Sequence, residues 1–235
     1  DGNKNKISFS GDFSKKIKKE NTISKLLKIL EKKKILKNQK FEIVVIKNIP
    51  QKSGMGGGSM NAASIFKYLI SKKIIKMNNR YIDKISHKVG SDVILGLKKK
   101  NSIFLQNRRV VRLEKKINLF TLIVKPTFGC STKNIYAGVK KYSKPLYNNK
   151  NKSHFKMKNL ADSKNDLENI VFKKYPTIKG LKNFLIDLPN VIFVRMTGSG
   201  SAIVAYFKTK KSANIASKIF KRKYKNYWYI ISKTI

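Results

Sequence analysis

The sequence of 235 residues holds a single cysteine, Cys130, and two histidines, His87 and His154. One cysteine excludes an internal disulfide and a thiolate metal cluster, and it suits a reducing compartment. The isolated histidines read as structural or surface residues, so no metal site is expected. Apolar runs are short, with Phe41–Ile46 and Ala202–Phe207 among the longest. A membrane-spanning helix needs about 18 or more apolar residues in a row, so no membrane segment is expected. The amino end, Asp1-Gly2-Asn3-Lys4, has neither an initiator Met nor an apolar signal region, which predicts a fragment or a processed product.

Acidic residues are also scarce. Twelve Asp and Glu stand against 54 Lys and Arg, for a net charge of +42. A balance this basic suggests a polyanion partner such as nucleic acid or an anionic membrane. Yet only six of the basic residues are Arg: Arg80, Arg108, Arg109, Arg112, Arg195 and Arg222. Nucleic-acid readers favour Arg, whose planar fork grips phosphates and guanine edges bidentately. Lys is instead spread along almost the whole chain beside abundant Asn, the mark of a compositional bias on a solvated surface. A basic nucleic-acid-binding module remains the alternative from another functional class. Anionic small molecules such as nucleotides are attracted under either reading.

With 41% hydrophobic residues the chain can build a core of one large or two smaller domains. Strands are expected at Ile7–Phe9 and Phe41–Ile46, and helices after Asn21, around Ala62–Leu69 and over Tyr81–Val89. Ser102–Leu105 and Val110–Leu113 read as a hairpin. A second unit is expected to begin at Leu119, giving domains 1–118 and 119–235. In it, strands are read at Leu119–Val124, Val191–Arg195, Ser201–Phe207 and Trp228–Ser232. Helices are read at Thr132–Val139, Asp166–Lys174, Ile178–Asp187 and Ser212–Phe220, and Lys140–Lys158 reads as a long loop. Helices and strands alternate without the even rhythm of a doubly wound sheet, so the fold class is α+β.

The segment Pro50-Gln51-Lys52-Ser53-Gly54-Met55-Gly56-Gly57-Gly58-Ser59-Met60-Asn61 lies between an expected strand and an expected helix. Four glycines in five residues let backbone come close to a ligand without Cβ clashes. At a helix start, free N–H groups and the positive end of the helix dipole favour phosphate. The segment is not a P-loop, because no Gly-Lys-Ser/Thr closes it, and it lacks the third glycine of a dinucleotide fingerprint. A flexible connector would need fewer glycines. Asp92, in Gly90-Ser91-Asp92-Val93, is open to two readings, a turn or helix cap and a catalytic base. Arg195-Met196-Thr197-Gly198-Ser199-Gly200 is equally open to reading as a tight hairpin turn.

These segments in this order resemble the GHMP kinase superfamily, and within it the diphosphocytidyl-methylerythritol kinases. The resemblance rests on Gly54-Met55-Gly56-Gly57-Gly58-Ser59, Gly90-Ser91-Asp92-Val93, Asn165-Asp166-Leu167-Glu168 and Arg195–Ala202, with Lys125-Pro126, Ser131-Thr132 and Tyr136 between them. It implies two parts, one sharing its topology with a ribosomal-protein domain and one ferredoxin-like. It further implies that Pro50 to Met60 wrap the phosphates of ATP, with Mg2+ accompanying the nucleotide. Asn61 and Thr197, Gly198, Ser199 and Gly200 would support that loop. Asp92 would take the proton of the acceptor hydroxyl, the acceptor being a cytidine diphosphate derivative. Homoserine or mevalonate-type acceptors are the alternative within the superfamily. A bacterial cytoplasmic or plastid location, no specific nucleic acid and no membrane partner go with this reading. The chain departs from the family at Met60, which stands for a serine, at Lys52 and Ser53, which replace small residues, and at Ile94, which replaces a proline. Asp1-Gly2 is followed by Asn3-Lys4 and not by the aromatic-His of the family's opening Asp-Gly motif, so the chain is expected to begin after that segment and its Lys-x-Asn.

Overall fold

In a computed structural model, the described residues are 4–105, 109–114, 117–144 and 156–234. Arg108 and His154 lie outside them, as does much of the stretch read as a loop over Lys140–Lys158. The chain forms two compact units, one of residues 1–51 and 56–99, the other of residues 52–55 and 100–235. The short piece Lys52–Met55 thus belongs with the second unit although the chain on both sides of it belongs to the first.

The first unit opens with strand β1 (Lys6–Ser10), helix α1 (Thr22–Lys32) and strand β2 (Glu42–Ile46), the two strands pairing in parallel. Asn21 caps α1 as its sequence suggests. Its Oδ1 accepts from the N–H groups of Ile23 and Ser24 at 3.0 and 3.1 Å, and the Ser24 hydroxyl accepts from the Asn21 N–H at 2.9 Å. This reciprocal box satisfies donors that a helix start would otherwise leave bare. Helices α2 (Gly57–Ser71), α3 (Asn79–Val89) and α4 (Val93–Gly96) follow. Ile23, Leu26, Leu27 and Leu30 of α1 recur at helical spacing and pack with Ala62, Phe66 and Leu69 of α2 and Ile85 and Val89 of α3. Burying such a side chain fully contributes about 1.5–3 kcal/mol, so this stripe holds α1 and α2 together.

Along β2 the burial alternates, with Ile43 and Val45 turned inward and Glu42, Val44 and Ile46 exposed. That two-residue period carries Lys47 to the inward side. The one-turn helix α4 had no periodicity to announce it. It packs so closely on α2 that a Cβ on Gly96 would lie 2.7 Å from the Cβ of Ala63.

The second unit contains the antiparallel hairpin β3 (Asn101–Phe104) and β4 (Val110–Leu113). Its main sheet is built from β5 (Phe120–Lys125), β6 (Val191–Met196), β7 (Ile203–Phe207) and β8 (Trp228–Lys233), in the order β6-β7-β5-β8 with every neighbour antiparallel. Among the described residues it is accompanied by helices α5 (Thr132–Ala137), α6 (Met157–Asp162), α7 (Leu167–Lys174), α8 (Pro176–Ile186) and α9 (Lys210–Lys223). Leu122, Val124, Ala205 and Phe207 of the sheet share one core with Val171, Leu181, Leu185, Ala216 and Phe220 of the helices.

Among the element ends that differ from the sequence reading two have a clear local reason, and one helix was not foreseen. Thr209 caps α9 by accepting from the Ser212 N–H at 3.1 Å, so the helix starts two residues before Ser212. Pro176 opens α8, a position where its missing N–H costs nothing. Helix α6 begins inside the stretch read as a loop, and six residues are too few to show a period. Among the described residues no helix is long and apolar enough to cross a membrane.

Candidate active site

Within the first unit, Gly56 is the N-cap of α2 and takes a left-handed backbone, φ +65°, with no side chain capping the helix. A residue with a Cβ adopts that conformation only at a cost, which explains a glycine here. The first turn of α2 is Gly57, Gly58, Ser59 and Met60, and the i−4 ladder starts with the Met60 N–H on the Gly56 carbonyl, 3.0 Å. The N–H groups before Met60 have no carbonyl four residues back within the helix, and the helix end carries about half a positive charge.

Two ionisable side chains flank this turn. Asp92 stands at the start of α4 but makes no cap bond, so the capping reading of its carboxylate does not hold. Its Oδ1 accepts the Ser91 hydroxyl at 3.0 Å, and its Oδ2 lies 3.6 Å from where a Cβ on Gly56 would be. Lys47, directly after β2, brings its Nζ to 3.0 Å from the Cβ position of Gly57. Its backbone is pinned on both sides, the N–H donating to Ser10 O at 2.7 Å and the carbonyl accepting from Phe13 N–H at 3.0 Å. Partial burial holds the Lys47 ammonium below its ordinary pKa. No described carboxylate pairs with it, so an unneutralised cation and a helix N-terminus converge on one small volume. Lys47 escaped the sequence reading. The signal was available in its even spacing from Ile43 and Val45, directly ahead of the glycine-rich segment.

Other residues of the segment do structural work. Gln51 donates from Nε2 to the carbonyls of Phe13 and Lys15 at 2.9 and 2.8 Å. Pro50 is buried, and Thr22 donates to the Gly58 carbonyl at 2.6 Å. Asn61 lies in the body of α2.

In the second unit the piece Lys52–Met55 is held through its backbone. The Lys52 carbonyl accepts from Cys130 and Ser201 N–H groups, both at 3.3 Å, and the Ser53 carbonyl accepts from Ala202 N–H at 3.1 Å. The Lys52 side chain is exposed and Ser53 is buried. Thr197 Oγ1 donates to the Gly54 carbonyl at 2.9 Å. A Cβ on Gly54 would run into the Thr197 carbonyl oxygen, and φ there is +74°, so only glycine fits. Ser199 is buried with its hydroxyl 2.9 Å from that of Thr132, and Ser201 donates to Phe128 O at 2.8 Å. The buried ammonium of Lys125 donates to the Pro126 and Phe128 carbonyls, each at 2.8 Å, and burial lowers its pKa. The thiol of Cys130 is buried and its pKa is raised by that burial, which makes it a poor nucleophile.

Residues 21–99 match the family model of the GHMP kinases N terminal domain, and residues 149–226 match that of the GHMP kinases C terminal region. The 4-diphosphocytidyl-2-C-methyl-D-erythritol kinase of Pelagibacter ubique is 54% identical over 230 residues, covering 98% of this chain and 82% of that protein. The chain belongs to the 4-diphosphocytidyl-2-C-methyl-D-erythritol kinase family. The family member of Anaplasma phagocytophilum is 29% identical, over 82% of this chain and 66% of that protein. Among solved structures, a 4-(cytidine 5'-diphospho)-2C-methyl-D-erythritol kinase superposes with a TM-score of 0.73 over 97% of this chain and 82% of that one. A homoserine kinase from Cytophaga hutchinsonii gives 0.74 over 98% and 81%. At 21% and 18% identity these two likenesses speak for the fold alone. The α+β expectation and the two-part kinase architecture are therefore both met. As a member of this family the chain is a phosphotransferase that uses ATP, and its closely matching relatives are bacterial.

Proposed function

We propose that the chain transfers the γ-phosphoryl group of ATP to the 2-hydroxyl of 4-diphosphocytidyl-2-C-methyl-D-erythritol, giving the 2-phosphate and ADP. The observation that carries the mechanism is the Asp92 carboxylate beside Gly56, at the bare N-terminus of α2. Phosphoryl transfer asks a protein for positioning and charge neutralisation more than for covalent chemistry. The N–H groups of Gly57, Gly58 and Ser59 bind phosphate oxygens, and the Lys47 ammonium supplies the missing positive charge. Asp92 accepts the proton of the acceptor hydroxyl as its oxygen attacks the γ-phosphorus. The bond from that phosphorus to the β,γ-bridging oxygen breaks, and ADP leaves with the electron pair.

Among the described residues no group of three His, Cys, Asp or Glu side chains gathers into a metal site. Magnesium ions on nucleotides suit such a sparse set, because they keep several waters and take few protein ligands besides phosphates. The Ser59 hydroxyl would hold such an ion, which neutralises charge on the β- and γ-phosphates when bound. The acceptor assignment is supported by the 54% identity to the Pelagibacter relative.

The test is ADP release by the full-length protein with ATP and magnesium, comparing the diphosphocytidyl substrate with homoserine and mevalonate. Turnover of the first alone is expected. Turnover of either of the others in its place would overturn the acceptor assignment.

A further inference from the structure

Asn165 and Glu168 stand at the entry to α7, and the reaction outlined above gives neither a role. A helix cap needs one acceptor, which Ser, Thr or Asp supplies as well as Asn. Asn165, one residue before the N-cap Asp166, supplies such an acceptor, its Oδ1 taking the Leu167 N–H at 3.0 Å. It also uses the other end of its carboxamide, donating from Nδ2 to the carbonyls of Met196 at 3.0 Å and Gly198 at 2.8 Å. Three residues on, the buried carboxylate of Glu168 accepts from the Met196 N–H at 2.8 Å and from Lys182 Nζ at 2.6 Å. The turn after β6 is therefore held at both backbone polar groups of Met196 and again at Gly198. From that turn Thr197 reaches the Gly54 carbonyl, with the Thr197 backbone packed against Gly54. Gly54 lies two residues before Gly56, the N-cap of the phosphate-binding helix.

We propose that Asn165 is a positioning residue for the glycine-rich loop, its two amide donors fixing the Met196–Gly198 turn on which Gly54 is seated. It touches neither nucleotide nor acceptor and acts through Thr197. The role demands an amide. An aspartate would keep that acceptor yet set a carboxylate against two carbonyl oxygens, and a serine would keep it with no second donor to offer.

The inference rests on ATP binding at the loop, so the test separates the two. In the ligand-free protein, Asn165→Asp and Asn165→Ser should raise amide hydrogen exchange in residues 52–55 and 197–202 while the melting temperature stays near that of the parent. In the same variants ATP affinity should fall roughly 5–30-fold, the effect of one or two lost hydrogen bonds. Thr197→Val, which removes the hydroxyl without touching α7, should reproduce the loss, and Thr197→Ser should restore parental affinity. Unchanged exchange, or raised exchange with unchanged ATP affinity, would overturn the positioning role. Failure of the parent protein to bind ATP would overturn the kinase reading and this role with it, and the exchange arm would then show whether the clamp alone is real.

Discussion

The ammonium of Lys47 lies 3.0 Å from the point where a side chain on Gly57 would begin, over the first turn of α2. A cation there is repelled by the helix end and has lost part of its hydration, and both costs vanish when an anion enters. Lys47→Met should therefore weaken ATP binding by about 10–100-fold, the range of a charge-assisted hydrogen bond. The melting temperature should stay level or rise. Calorimetric titration of parent and variant with ATP checks this.

The same lysine gives the binding a pH dependence. Burial lowers its pKa from the ordinary 10.5 in the free protein, and a bound phosphate favours the charged form and raises it again. The complex thus holds a proton that the free protein has begun to lose. ATP affinity should fall as pH rises through the free-state pKa, below 10.5, and binding in that window should take up protons. Titrations in buffers of different ionisation enthalpy should show the uptake in the parent and none in Lys47→Met.

Asp92→Asn keeps the shape of the carboxylate and removes its basicity. Loss of a general base costs about 10²–10⁴-fold in rate. The expected result is that loss in kcat with the KM for ATP within twofold of the parent. A variant turning over at the parental rate would remove Asp92 from the mechanism.

Two glycines of one loop should respond in opposite ways. At Gly57 the obstacle to a side chain is the far end of Lys47, which can swing aside, so Gly57→Val should fold normally and fail to bind ATP. At Gly54 the obstacle is backbone and φ is +74°, so Gly54→Ala should lower the melting temperature by several degrees whether or not ATP is present. Thermal melts with and without ATP distinguish the two.

The Glu168–Lys182 pair is 2.6 Å apart, with side chains 11% and 19% exposed. Removing one partner of a buried pair strands the other and costs about 3–5 kcal/mol. Glu168→Ala should cost that much and also free the Met196 N–H. Glu168→Ala combined with Lys182→Met should recover part of the loss in denaturant unfolding.

Local chemistry was enough to expose much of this protein. The β-branched run Phe41–Ile46, the helical spacing of Ile23, Leu26, Leu27 and Leu30 and the cap at Asn21 all act over a few residues, so the chain displays them directly. The glycine-rich stretch at a helix start and the isolated Asp92 were legible for the same reason. Tertiary structure decided the rest. Thr197 finds the Gly54 carbonyl across 143 positions of sequence, and Lys52–Met55 joins a unit whose other residues begin at Lys100. Asn165 meets the Leu167 N–H two residues on, a local bond, whereas its second bond pair goes to residues 31 and 33 positions away. Lys47 came to stand over the first turn of α2 only through the tertiary fold. Such partnerships depend on where the chain returns, which no period of two or 3.6 encodes.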